Sequence, residues 1–253
     1  MLAELCRCEL VPALCVPSLE DRELRERLRW RMHLARMRAS AMNRIFGTTQ
    51  WGLPLSLRRL RAPDSMELLE DRGLPEVWRR SIAEALAVID LLDARITPID
   101  QELGPLAGAD ARVALLDTIR CVGALLGLTL ASEIGDVARF GSPRKLIGYA
   151  GLAPKINQSG DRSRTGALSR AGSRTLRWAA VEAAHHAWRP SNPWHPLYRD
   201  IARRAGKNPA KSAVARKILI AGWHVLSRRQ PFKHAAPRRP TPASASSRYF
   251  LAA

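Results

Sequence analysis

From Leu28 onward the apolar residues return in a fixed rhythm: Met32, Ala35, Ala39, Met42 and Phe46, alternately four and three apart. The rhythm recurs at Ile82, Ala85, Ile89, Leu92, Ile96, Ile99 and Leu103. Such a repeat puts one apolar seam along a helix, so it commits this stretch to two long amphipathic helices. Ser18 and Asp21 form a Ser-x-x-Asp capping box that starts the first helix, and Gly47 stops it. The second starts near Pro75, and Pro98 is expected to kink or end it. Residues 48–73, with Gly52, Pro54, Pro63 and Gly73, read as a connection. Residues 18–106 are therefore expected to form an antiparallel coiled-coil helical hairpin. The pattern fits an arm that protrudes or pairs with a second chain as well as it fits a hairpin packed on its own domain.

Charge separates this hairpin from the C-terminal half of the chain. The net charge is +18, but residues 1–110 hold 16 arginines against 17 acidic residues, net −1. Residues 111–253 hold 25 lysines and arginines against 6 acidic residues, net +19. A segment so basic repels itself without counterions, and the usual counterion is a phosphate backbone. This favours nucleic acid over an anionic membrane, because no amphipathic surface anchor is evident.

The basic part reads as a compact, mainly α domain over 111–229. Two apolar helices, Val113–Ile119 and Leu125–Ile134, flank Cys121-Val122-Gly123-Ala124. This resembles a helix-hairpin-helix element, whose tight turn aims backbone N–H groups at phosphate, although Cys121 stands where the turn's first glycine belongs. A plain helical hairpin fits equally well. Ser142-Pro143 opens another helix. Residues 151–170 form an extended or hairpin loop carrying Lys155, Arg162, Arg164 and Arg170. A loop of that length in a small domain is usually functional. A helix over about 172–188 comes next, with Arg174 and Arg177 in its first turns. There they oppose the helix dipole and call for an anionic partner. Its adjacent His185 and His186 lie about 100° apart on a helix, a poor metal pair, and are read as packing residues. Asn208-Pro209 opens the last helix, through about Leu226, and the Pro/Ala/Ser-rich residues 230–253 read as a disordered tail.

Cys6, Cys8, Cys15 and Cys121 lack paired metal-ligand spacing and read as reduced thiols, so no metal site is expected. Acidic Glu4 and Glu9 precede the apolar run Leu10–Val16, which argues against a signal peptide, and no stretch is long enough to span a membrane. A cytoplasmic, nucleoid-associated protein is expected.

Three stretches carry a family resemblance: SEIGDVARFGSPRKL, then LIGYAGLAPKINQSGDRSRTGALSRAGSRTLRWAAVEAA, then NPAKSAVARKIL. In this order, over roughly 113–226, the chain resembles the C-terminal domain of transposases of the insertion sequence 110, 116 and 902 family. Arg120 and Cys121 depart from it, standing where the family favours proline and glycine. The opening run LAELCRCELVPALCVPSLEDRELRERLRWR resembles the family's passage from an RNase-H-like nuclease domain into its coiled coil. By that resemblance residues 1–17 are a remnant of the nuclease domain. Its metal-binding acidic pair would lie just ahead of Leu2-Ala3-Glu4-Leu5, and Glu4, Glu9, Glu20 and Asp21 do not replace it by position.

The resemblance implies site-specific DNA recombination, with Ser159 of Asn157-Gln158-Ser159-Gly160 as the nucleophile. Without it, Ser159 reads as a turn serine. Ser163 and Ser169 are the fallback candidates, and Ser169 also fits as a cap for the 172–188 helix. A serine hydroxyl needs activation, and cations must bear the charge developing on phosphate. Lys155, Arg162, Arg164, Arg170, Arg174 and Arg177 are the candidates for that. The expected partners are DNA, a guide RNA, and a second copy or a full-length relative joined through the arm. Magnesium is expected only with the acidic nuclease domain, so this chain holds no cofactor and does not recombine DNA alone. Two other classes stay open: a non-catalytic nucleic-acid-binding regulator, and a degenerate relic that folds poorly.

Overall fold

The computed structural model describes residues 15–47, 55–159 and 162–232, together with residues 4, 7 and 8; of residues 156–159 and 162–165 it describes the backbone alone. The elements expected over 1–17 and the tail expected over 230–253 fall almost wholly outside the described residues. The described chain is mainly α, with ten α-helices and one two-stranded sheet. It divides into two compact units, one of the residues up to Glu26 with those from Ala107 onward, the other of Arg27–Leu106.

The second unit draws on helices α1 (Leu19–Phe46), α2 (Leu57–Leu60), α3 (Ser65–Asp71) and α4 (Glu76–Ala109). Helices α1 and α4 run antiparallel. Arg31 pairs with Asp100 through two hydrogen bonds, at 2.9 and 3.2 Å, and Arg38 pairs with Asp93. The expected seam on α4 is buried or partly buried from Ile82 to Leu103. The seam on α1 is not: Ala39 and Phe46 are exposed, while Leu34 and Ile45 are buried. A straight helix of 3.6 residues per turn drifts about 20° per heptad against a 3.5 repeat, and here the drift brings the larger side chains inward. Helix α4 also continues through Pro98 and Pro105 rather than ending near the first. Both prolines are exposed, so each freed carbonyl can turn to water while buried Leu92, Ile96 and Leu103 hold the helix. The stretch expected to be a mere connection folds as well. Leu60, Leu69 and Leu74 bury with Ile45, Ile82, Leu86 and Ile89 in one cluster.

The basic unit begins with the expected cap, where Ser18 Oγ accepts the Asp21 N–H at 3.0 Å. Its helices are α5 (Ala111–Leu116), α6 (Ala124–Ile134), α7 (Pro143–Tyr149), α8 (Arg174–Ala183), α9 (His195–Ala205) and α10 (Lys207–Arg228). Strands β1 (Pro154–Ser159) and β2 (Arg162–Leu168) form an antiparallel hairpin between α7 and α8. The core is Leu116, Ile119, Leu128, Ile134, Leu146, Leu176 and Ile218, none more than 1% exposed. Each such burial contributes about 1.5–3 kcal/mol. A Cβ on Gly127 would stand 3.1 Å from Val113 Cγ1, so α5 and α6 approach closely because that position is bare. Helix α8 stops at Ala183 and gives way to a 3-10 turn, His185–Trp188, short of the expected single helix to 188. Helix α9 lies where no helix is expected; its sequence marks are Pro196 at its start and Gly206, at φ 91°, just past its end.

The turn between α5 and α6 resolves the cysteine anomaly. Cys121 has φ 74°, the left-handed backbone that glycine adopts without strain. The chain thus makes the turn despite the side chain, and Gly123 serves as the N-cap of α6.

Candidate nucleic-acid interface

The hairpin stands on a base made by two short segments. The Ser173 N–H donates to Tyr149 O at 2.8 Å, the Arg170 N–H to Gly151 O at 3.1 Å, and the Ser169 N–H to Ala153 O at 2.8 Å. Two glycines let these backbones meet. A Cβ on Gly172 (φ 111°) would lie 2.2 Å from Tyr149 O, and one on Gly151 (φ 67°) would lie 2.4 Å from Ala171 O. Any side chain there would push the legs apart.

Arg177 lies beneath the base. Its Nη1 donates to Ala150 O at 3.2 Å and to Arg170 O at 3.1 Å, one carbonyl on each leg. Burial, then the charges of Arg174 and Arg170, push its pKa below the ordinary arginine value. Three guanidinium groups are therefore gathered here, and among the described residues none of them pairs with a carboxylate. Arg170 and Arg174 are exposed, and Arg170 holds a left-handed φ of 53°. Ser173, not Ser169, caps α8: its Oγ accepts the Leu176 N–H at 3.1 Å and donates to buried Glu133 Oε2 at 2.9 Å. Ser169 instead sits in the zipper of the two legs.

Beyond the base Lys155 is exposed, the register shifts between Pro154 and Ile156, and from Ile156 to Ser159 the pairing is regular. Ser159 and Arg162 are Cα partners next to the turn, Asn157 faces Arg164, and Gln158 faces Ser163. Gly160 lies outside the described residues. Five strand steps separate Pro154 from Ser159, about 17 Å at the usual rise. The candidates thus form two groups. Ser159, Arg162 and Arg164 belong to the outer hairpin, and Lys155, Arg170, Arg174 and Arg177 to the base end.

Residues 113–199 match the family model described as Transposase IS116/IS110/IS902 family. Over that stretch the chain is similar to the family's transposase domain. The match takes in the whole hairpin, its base and all seven candidate residues. Relatives extend the similarity upstream. A chain described as a probable family 20 transposase, from Pseudomonas aeruginosa, is 26% identical over 84% of this chain and 66% of its own length. The transposase for insertion sequence element IS1111A of Coxiella burnetii is 24% identical over 85% of this chain and 62% of its own. An uncharacterized 44.8 kDa protein of insertion element IS116 from Streptomyces clavuligerus is 26% identical over 58% of this chain and 37% of its own. The chain therefore spans less than two thirds of the length of these relatives.

Among the described residues no three His, Cys, Asp or Glu side chains come together as metal ligands. Burial pushes the pKa of the Cys121 thiol up, against the smaller opposing effects of Arg120, Asn192 and Arg189. No helix among the described residues is long and apolar enough to cross a membrane.

Proposed function

We propose that this chain acts in DNA transposition, its basic unit holding a DNA strand against the 154–168 hairpin and its base. The observation that carries the reading is the gathering of Arg170, Arg174 and Arg177, none of which pairs with a carboxylate among the described residues, inside the segment that matches the transposase family. Crowded cations of this kind cost stability unless an anion joins them. A strand lying from the base to the tip meets cationic positions along its whole path, ending at Ser159 beside Arg162.

On this reading Ser159 is the catalytic nucleophile. Its oxygen forms a bond to phosphorus while a P–O bond of the strand breaks, and the hydroxyl proton passes through solvent to the departing sugar oxygen. Arg162 and Arg164 bear the charge that develops on phosphate, and Lys155, nearer the base, holds the strand farther along. The resemblance assigns the family's metal-holding carboxylates to its nuclease domain, and in this reading the hairpin and its base supply the DNA contact and the serine. The reading also includes a guide RNA, assembly through the helical hairpin, and work in the cytoplasm at the nucleoid.

Fluorescence anisotropy of the purified chain with duplex DNA tests the binding. The expected affinity falls steeply between about 50 and 200 mM salt, as it does when several phosphates are neutralised. Arg174→Ala is expected to weaken binding for all sequences alike, and Ser159→Ala to leave it unchanged. Salt-independent or undetectable binding would refute the reading. Covalent protein–DNA adducts that are lost in Ser159→Ala would support the nucleophile, and adducts that persist in Ser159→Ala would refute it.

A further inference from the structure

A second cationic surface lies on the turn where α8 was expected to continue. Ala183, Ala184 and Ala187 are at most 1% exposed and root the turn in the core. The residues between and after them point outward: His185, His186, Trp188 and Arg189 are all exposed. Trp188 shows 52% of its surface to solvent, an unusual place for the costliest aromatic to expose. The Arg189 guanidinium sits 5.6 Å over the Trp188 ring, covering one side and leaving the rest open. Lys211 Nζ donates to His185 Nδ1 at 3.4 Å, and the two imidazoles meet edge to face at 5.6 Å.

The turn is held in place. Asn192, 5% exposed, donates to His186 O at 3.3 Å and to Cys121 Sγ at 3.1 Å, tying it to the left-handed turn between α5 and α6. Arg120 and Arg189 both act on the Cys121 thiol, so Arg120 shares the neighbourhood. Burial, then Arg189 and His185, press the His186 pKa below its ordinary value, while Glu182 acts weakly the other way. The half-exposed Trp188 ring thus has Arg189 against it, on a turn that also carries His185 with its Lys211 contact and His186, and that Asn192 ties to Cys121 beside Arg120.

We infer that this turn is a docking surface for a single-stranded polynucleotide, with Trp188 stacking one unpaired base and Arg189, Arg120 and Lys211 taking the flanking phosphates. Charge complementarity selects a polyanion, and the exposed ring selects one whose bases are not stacked in a duplex. The inference rests on the reading that the chain binds nucleic acid, but it places an unpaired strand on a surface apart from the hairpin candidates.

The test uses the full 253-residue chain with three fluorescein-labelled probes: a dT 12-mer, a U 12-mer and a duplex. Trp188→Ala is expected to weaken the single-strand probes about tenfold, the usual scale for losing one stacked base, and to leave duplex affinity within about twofold. Trp188→Phe keeps a stacking face and is expected to retain most of the affinity, which separates stacking from any loss of folding. The dT and U arms tell DNA from RNA. Equal single-strand affinity for wild type and Trp188→Ala would overturn the inference while leaving the proposed function standing. So would an equal loss for duplex and single strand. Failure to bind any of the three probes would overturn both. Binding of an acidic peptide in preference to the 12-mers would mark the turn as a protein contact and overturn the inference.

Discussion

Replacing Gly172 by alanine tests whether the hairpin base is as tightly closed as its geometry implies. Two effects add. At φ 111° a side chain is strained whatever the space, at about 1–3 kcal/mol. The new Cβ would also lie 2.2 Å from Tyr149 O and 2.9 Å from Tyr149 C, both backbone atoms that cannot swing aside. Relief requires separating the legs, which lengthens the 2.8 Å bond from the Ser173 N–H to Tyr149 O and forfeits about 1 kcal/mol. The expected loss is about 2–4 kcal/mol. Gly73 is the matched control: its φ is 76° and a Cβ there meets nothing within 4 Å, so Gly73→Ala carries backbone strain alone, about 1–2 kcal/mol. Urea unfolding followed by tryptophan fluorescence and by far-ultraviolet circular dichroism gives both values. If Gly172→Ala loses no more than Gly73→Ala, the base is not closed as described.

Three further outcomes are expected. Cys121→Ala and Cys121→Gly both lose the contact from Asn192, but only Ala keeps the strain of the left-handed backbone, so it should be about 1 kcal/mol less stable than Cys121→Gly; the opposite order in urea melts would contradict the strained turn. Arg177→Met removes two bonds to leg carbonyls and should increase hydrogen exchange at the Arg170 amide, whereas Arg174→Met should not. His186 has a lowered pKa in the folded state, so the unfolded chain takes up its proton first as pH falls. Its contribution to stability is therefore present above the unfolded value of about 6.5 and is lost as pH drops from there through the lower folded value. His186→Gln should flatten thermal stability across that window, and an unchanged slope would show that the imidazole is not pressed by its neighbours.

Local rules carry far in some elements and stop in others for identifiable reasons. The cap at Ser18 and the α4 seam are readable because one side chain or one repeat decides each. The α1 seam drifts because spacing alone does not weigh Leu34 and Ile45 against Ala39. Pro98 should interrupt α4, but burial on both sides of it outweighs one lost hydrogen bond. The end of α8 at Ala183 and the whole of α9 escape a local reading because alanine and arginine favour a helix on either side of the break. At the interface, the basic hairpin is legible from its glycines and cations. Its division into tip and base is not, since that depends on strand register and on which backbone carbonyls Arg177 reaches.

The two bonds from Arg177 to the legs bear on how an anion would be received. Its guanidinium has already given up its rotational freedom in the folded chain, so little is left to lose when a phosphate arrives. Arg170 and Arg174, exposed beside it, must still be ordered by their guest. One fixed charge flanked by two loose ones would let the base recognise where a phosphate sits while tolerating how the rest of the strand lies.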